Sequence, residues 1–173
     1  MTPFDTALLH ATPASAVGAV LSAEQCGSWR ERGFAFVSGI FDADLVARLR
    51  ADATAHFPAP GTPEAEGMRN FGGGLVFPSS SDAFNAVTLH PRLLAAVAQL
   101  LAVPVCDLRL TQSDLWPKYG QTRSPGALDN DEQRVHVDYP NHTLAHPSPW
   151  DRPEAVELIL YLDRQTDRRS RSR

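Results

Sequence analysis

His136 and Asp138 stand two residues apart in Arg134-Val135-His136-Val137-Asp138-Tyr139-Pro140, a run of β-favouring character. In an extended chain the side chains at i and i+2 project from the same face, so an imidazole and a carboxylate at this spacing can reach one cation together. With a second imidazole from elsewhere they would complete the two-histidine, one-carboxylate triad that holds non-haem Fe(II) and leaves positions open for oxygen and a co-substrate. The competing interpretation is an ordinary exposed pair on a strand edge. A chain with six His and thirteen Asp contains about 0.45 such pairs by chance, so the neighbouring elements have to carry the assignment.

Those elements are predicted by caps, breakers and apolar periods. Ser22-Ala23-Glu24-Gln25 has the form of a capping box and predicts a helix from about Ala23 to Arg32, stopped by Gly33. Phe34-Ala35-Phe36-Val37 predicts a short strand ended by Ser38-Gly39. Asp42 is placed to cap a second helix, in which Leu45, Val46, Leu49 and Ala53 recur at helical spacing as far as the Pro-rich stretch from Pro58. Residues 59–81 predict a loop, because Phe71-Gly72-Gly73-Gly74 lacks both the preceding strand and the Gly-Lys-Ser/Thr that a phosphate cradle requires. Pro91 suits the first turn of a third helix, Arg92 to Leu101, whose Leu93, Leu94, Val97, Leu100 and Leu101 share an apolar face. Pro104 closes it.

Val105 to Trp116 alternates as a strand, with Cys106, Leu108, Leu110 and Gln112 on one face. A polar loop over 117–131 precedes the strand of His136 and Asp138. Asn141 to Trp150 is too broken by proline for a regular element, and Val156 to Leu162 predicts a last, nearly continuous apolar strand.

The 173 residues suffice for one domain with a real core, expected over 21–163, between an irregular lead-in at 1–20 and an Arg/Ser-rich disordered tail at 164–173. Hydrophobic residues at 43% and charged residues at 21% are those of a globular protein. A net charge of −4 argues against general nucleic-acid binding. Fifteen of the sixteen basic residues are Arg, four of them in the last six positions, so only that end is a candidate for RNA contact. Cys26 and Cys106 belong to no Cys-x-x-Cys pair and are expected as buried free thiols of a reducing compartment. No signal-peptide pattern and no run of about 20 apolar residues is present, and a cytoplasmic, membrane-free protein is the expectation.

The order of Gly33-Phe34-Ala35-Phe36-Val37 between two helices, His90-Pro91-Arg92-Leu93-Leu94 opening a third, and then the His-x-Asp strand resembles the phytanoyl-CoA dioxygenase family over about residues 20 to 165. The resemblance implies an α+β fold: a double-stranded β-helix, or jelly roll, here incomplete, with flanking N-terminal helices. It also implies an Fe(II)- and 2-oxoglutarate-dependent oxygenase that hydroxylates a small molecule. His136 and Asp138 match the family's first two iron ligands. Gln112 falls on the strand from which such enzymes reach the co-substrate, and Tyr161 near an aromatic that packs beside it. The acidic residue at 138, where halogenating relatives have a small one, implies hydroxylation.

The family's second histidine, and the arginine that pairs with 2-oxoglutarate, lie on strands beyond the one at Val156–Leu162. No His follows Asp163 in this sequence. His142 and His146 are the remaining candidates for a third ligand, against the alternative that both are surface loop residues. The expectation is therefore a truncated relative with reduced or no activity, or a non-enzymatic remnant that acts through a partner. An apolar strand at Val156–Leu162 without its neighbours would also invite self-association through its edge.

Overall fold

Ser22 begins the first helix by closing a reciprocal pair: its Oγ accepts from the Gln25 N–H at 3.1 Å, and the Gln25 Oε1 accepts from the Ser22 N–H at 2.9 Å. The computed structural model describes residues 19–68, 73–119 and 155–162. Helix α1 spans Ala23–Arg32 and ends where Gly33, at φ 79°, turns left-handed and donates its N–H to the Trp29 carbonyl. Both ends are where the capping box and the glycine place them.

Asp42 caps α2, Ala43–His56, by accepting from the Leu45 N–H at 2.6 Å. Leu45 and Leu49 are buried, Leu49 almost completely, and a leucine so enclosed contributes about 1.5–3 kcal/mol relative to exposure. Residues 59–81, expected as loop, hold two short elements, α3 at Pro63–Gly67 and β1 at Leu75–Val76.

Helix α4, Asp82–Thr88, was not foreseen. Ser81 caps it through the Phe84 N–H at 3.0 Å, and the Ser81 hydroxyl in turn donates to the Asp52 carboxylate at 2.6 Å. Ala83, Phe84 and Val87 form its buried face. Helix α5 spans Pro91–Leu101, with Pro91 in its first turn as expected, and ends at Ala102, which takes the left-handed conformation (φ 56°) usually left to glycine.

Three expected strands need correction. Phe34–Val37 joins no sheet among the described residues, because α1 takes its carbonyls: Ser28 Oγ donates to Phe34 O at 3.0 Å and Gln25 Nε2 to Phe36 O at 3.3 Å. Val105–Trp116 opens instead with a 3-10 turn, Val105–Asp107, nucleated after Pro104, and only β2, Asp114–Leu115, is paired. Val156–Leu162 likewise joins no sheet among the described residues. The strand expected at 134–140 lies outside them.

The sheet among the described residues is the antiparallel pair β1–β2, in the register Leu75↔Leu115 and Val76↔Asp114. Gly74 lets the two strands close, since a Cβ there would lie 2.5 Å from Trp116 Nε1 and 3.1 Å from the Leu115 carbonyl oxygen. No jelly roll is assembled among the described residues.

The core divides into two clusters. Leu21, Cys26, Ile40, Leu93 and Ala96 pack α1 against α5, while Leu45, Leu49, Ala83, Phe84 and Val87 pack α2 against α4. Phe41 packs against both clusters, and Leu115, Leu160 and Leu162 cover the second. Cys26 is buried as expected. Cys106 is a correction: it is exposed, because the 3-10 turn replaces the strand that would have turned it inward.

Candidate functional site

His136 and Asp138, with the alternative ligands His142 and His146, lie outside the described residues. Gln112 and Tyr161 lie within them, and both stand beside elements that cover the α2/α4 cluster.

Gln112 is exposed on the segment leading into β2. Its Nε2 donates to the Asp114 carboxylate, two residues on along the same side of the chain. The amide carries a second N–H, which could meet a dicarboxylate while that partner is kept. Asp114 itself is held by the β1–β2 pairing opposite Val76.

Tyr161 is 63% exposed. Its neighbours Leu160 and Leu162 turn inward onto the second cluster, and an Arg50 guanidinium from α2 donates to the Leu162 carbonyl. The phenol therefore points away from the core. A surface phenol can stack on or hydrogen-bond a ligand, but it does not wall a dry pocket.

His90 is the described residue with the most unusual surroundings. Its Nδ1 is buried without a hydrogen-bond partner among the described residues, and its ring meets Phe41 edge-on at 5.1 Å. Burial holds the imidazole below its ordinary value of 6.5; the Asp42 carboxylate pulls it back up and the Arg92 guanidinium pushes it further down. In the sequence His90 stood only as the residue before Pro91. It stands at the N-cap of α5 and makes no side-chain cap hydrogen bond there.

His90 and Asp42 do not amount to a metal pair, because the Asp42 carboxylate is committed to the α2 cap. No group of three His, Cys, Asp or Glu that could hold a metal ion occurs among the described residues. By residue type, His136 and Asp138 offer a neutral nitrogen donor and a hard oxygen donor, kinds of ligand that ferrous iron takes. No helix among the described residues is long and apolar enough to cross a membrane. No family model, curated protein or solved structure matches the chain.

Proposed function

We propose that this chain is an Fe(II)/2-oxoglutarate-dependent oxygenase of the phytanoyl-CoA dioxygenase type that acts on a small molecule in the cytoplasm. The observation that carries the proposal is His136-x-Asp138, downstream of the helix, Gly-Phe-Ala-Phe-Val, helix and His-Pro-Arg-Leu-Leu order. In support, α1, α2 and α5 form at the spans that order requires.

His136 and Asp138 hold the iron, as ligands rather than as acid or base. Gln112 and Tyr161 approach the co-substrate from the β2 side and from the 155–162 segment. Iron with 2-oxoglutarate and oxygen supplies the oxidation, with succinate and carbon dioxide as by-products, and the protein contributes orientation and shelter from water. Within this sequence His142 and His146 are the candidates for the third ligand.

The test is Fe(II)-dependent succinate release together with anaerobic Fe(II) titration, for the chain and for His136→Ala and Asp138→Ala. Iron affinity and any succinate release should fall in both variants. Unchanged iron binding in both would remove the proposal.

A second reading, a non-catalytic domain that works by binding a partner, is favoured by the exposure of Leu158, Ile159 and Tyr161 on one segment. It predicts neither iron nor 2-oxoglutarate binding, and stoichiometric binding of both would count against it.

A further inference from the structure

The two core clusters meet where α4 passes into α5. Phe41 packs against both, and the His90 imidazole lies edge-on to it, the planes at 78°. The His90 backbone ties the helices on either side, its N–H donating to the Val87 carbonyl of α4 at 3.2 Å and its carbonyl accepting from the Leu94 N–H of α5 at 3.0 Å. His90 thus stands at the junction of α4 and α5, with its ring against the phenylalanine shared by the two clusters.

We infer that His90 is an acid-sensitive latch between the α1/α5 and α2/α4 halves of the core, closed by the neutral imidazole and released by its protonation. The buried Nδ1 has no acceptor among the described residues, so an N–H placed there on protonation would be left unsatisfied. That charge would also sit at the N-terminal end of α5, where the helix dipole is already positive.

The groups that face the ring are of both signs. From the start of α2, the Asp42 carboxylate attracts the imidazolium, but it is drawn toward the Leu45 N–H. From α5, Arg92 repels it while donating to the Gly39 carbonyl at 2.9 Å, which fixes the guanidinium near the seam. The α4 side presents the uncharged Val87 carbonyl, already engaged. The depressed imidazole value agrees with this balance, in which burial outweighs the carboxylate. Stability contributed by the neutral ring is complete above 6.5, the ordinary value, and is lost as pH falls below it.

Cys26 reports on the seam because it is buried in the α1/α5 cluster with Ile40 and Leu93. In the full chain carrying Cys106→Ser, Cys26 is labelled with dithiodipyridine, and the rate is normalised to that of the urea-unfolded chain at the same pH. Between about pH 7.5 and about pH 5 the normalised rate should rise severalfold, and with His90→Phe added it should stay level. An equal rise in both chains, or no rise with His90 present, overturns the latch. The imidazole is also titrated by NMR in the unsubstituted chain, which decides the matter should His90→Phe fail to fold: a midpoint below 6.5 supports the latch, and one at or above 6.5 overturns it.

Discussion

The Gln99 side chain completes the hydrogen bonding of Leu21: its Oε1 accepts the Leu21 N–H at 3.0 Å and its Nε2 donates to the Leu21 carbonyl at 2.9 Å. The same Oε1 accepts from the Val20 N–H at 3.1 Å. One amide on α5 thus fixes the chain just before the α1 cap and lets Leu21 be buried without orphaned backbone groups. Gln99→Leu should cost about 2–4 kcal/mol, since these three backbone hydrogen bonds and a fourth to the Cys26 thiol are lost and the backbone groups of a buried residue are left unpaired. Gln99→Glu keeps the acceptor and should cost less. Urea unfolding of the two variants gives both values, and equal costs would show that the donor and acceptor halves of the amide do not act separately.

Gly74 and Gly27 make a contrasting pair. A side chain at Gly74 would overlap the Trp116 indole, whereas nothing lies within 4 Å of a Cβ at Gly27, inside α1. Gly74→Ala should displace Trp116, part the β1–β2 pair and cost about 1–3 kcal/mol. Gly27→Ala should stabilise by about 0.5–1 kcal/mol, because alanine is the better helix former. Thermal unfolding followed by tryptophan emission separates the two, with a shifted native spectrum expected for Gly74→Ala alone.

What could be read ahead of the structure follows the range of the interactions involved. Helix α1 is written within its own residues, by Ser22 and Gln25 at one end and Gly33 at the other; α2 has Asp42 and the break before Pro58. Helix α4 depends on Asp52, 29 positions away, which holds the Ser81 cap, and its seven residues are too few for a clear period. Strand composition misled at Phe34–Val37 because pairing needs a partner, and side chains of α1 had already taken the carbonyls. For the candidate site, residue type and i, i+2 spacing single out His136 and Asp138. The same spacing explains why Gln112 is engaged by Asp114, a pairing the alternation of an extended chain already allowed.

Tyr119 gives an alkaline counterpart to His90. Its hydroxyl donates to the Pro58 carbonyl at 2.8 Å, and burial raises the phenol above 10.0. A group whose folded value is raised supports the fold fully below its unfolded value and loses that support as pH rises toward the folded one. Stability should therefore fall above 10.0, the ordinary phenol value, and Tyr119→Phe should flatten that fall while removing one hydrogen bond at neutral pH. Tyrosinate absorbance followed through the titration, with unfolding midpoints at each pH, checks both parts. A decline of the same size in Tyr119→Phe would assign it to another group.

The segment 155–162 presents two different sides. Leu160 and Leu162 pack onto the α2/α4 cluster, and Arg50 holds the Leu162 carbonyl, while Ile159 and Tyr161 are 64% and 63% exposed. An apolar row on an extended segment, with no strand paired to it among the described residues, favours contact with a second copy of the chain. Light scattering should show mass rising with concentration, and Ile159→Lys should return it toward the monomer by placing a charge in the row. Because Ile159 adds little to the core, this variant should change the unfolding free energy by no more than about 0.5 kcal/mol. A loss of stability well beyond that would mean that Ile159 is enclosed within its own chain, and a wild-type chain that stays monomeric at all concentrations would mean that the row does not self-associate.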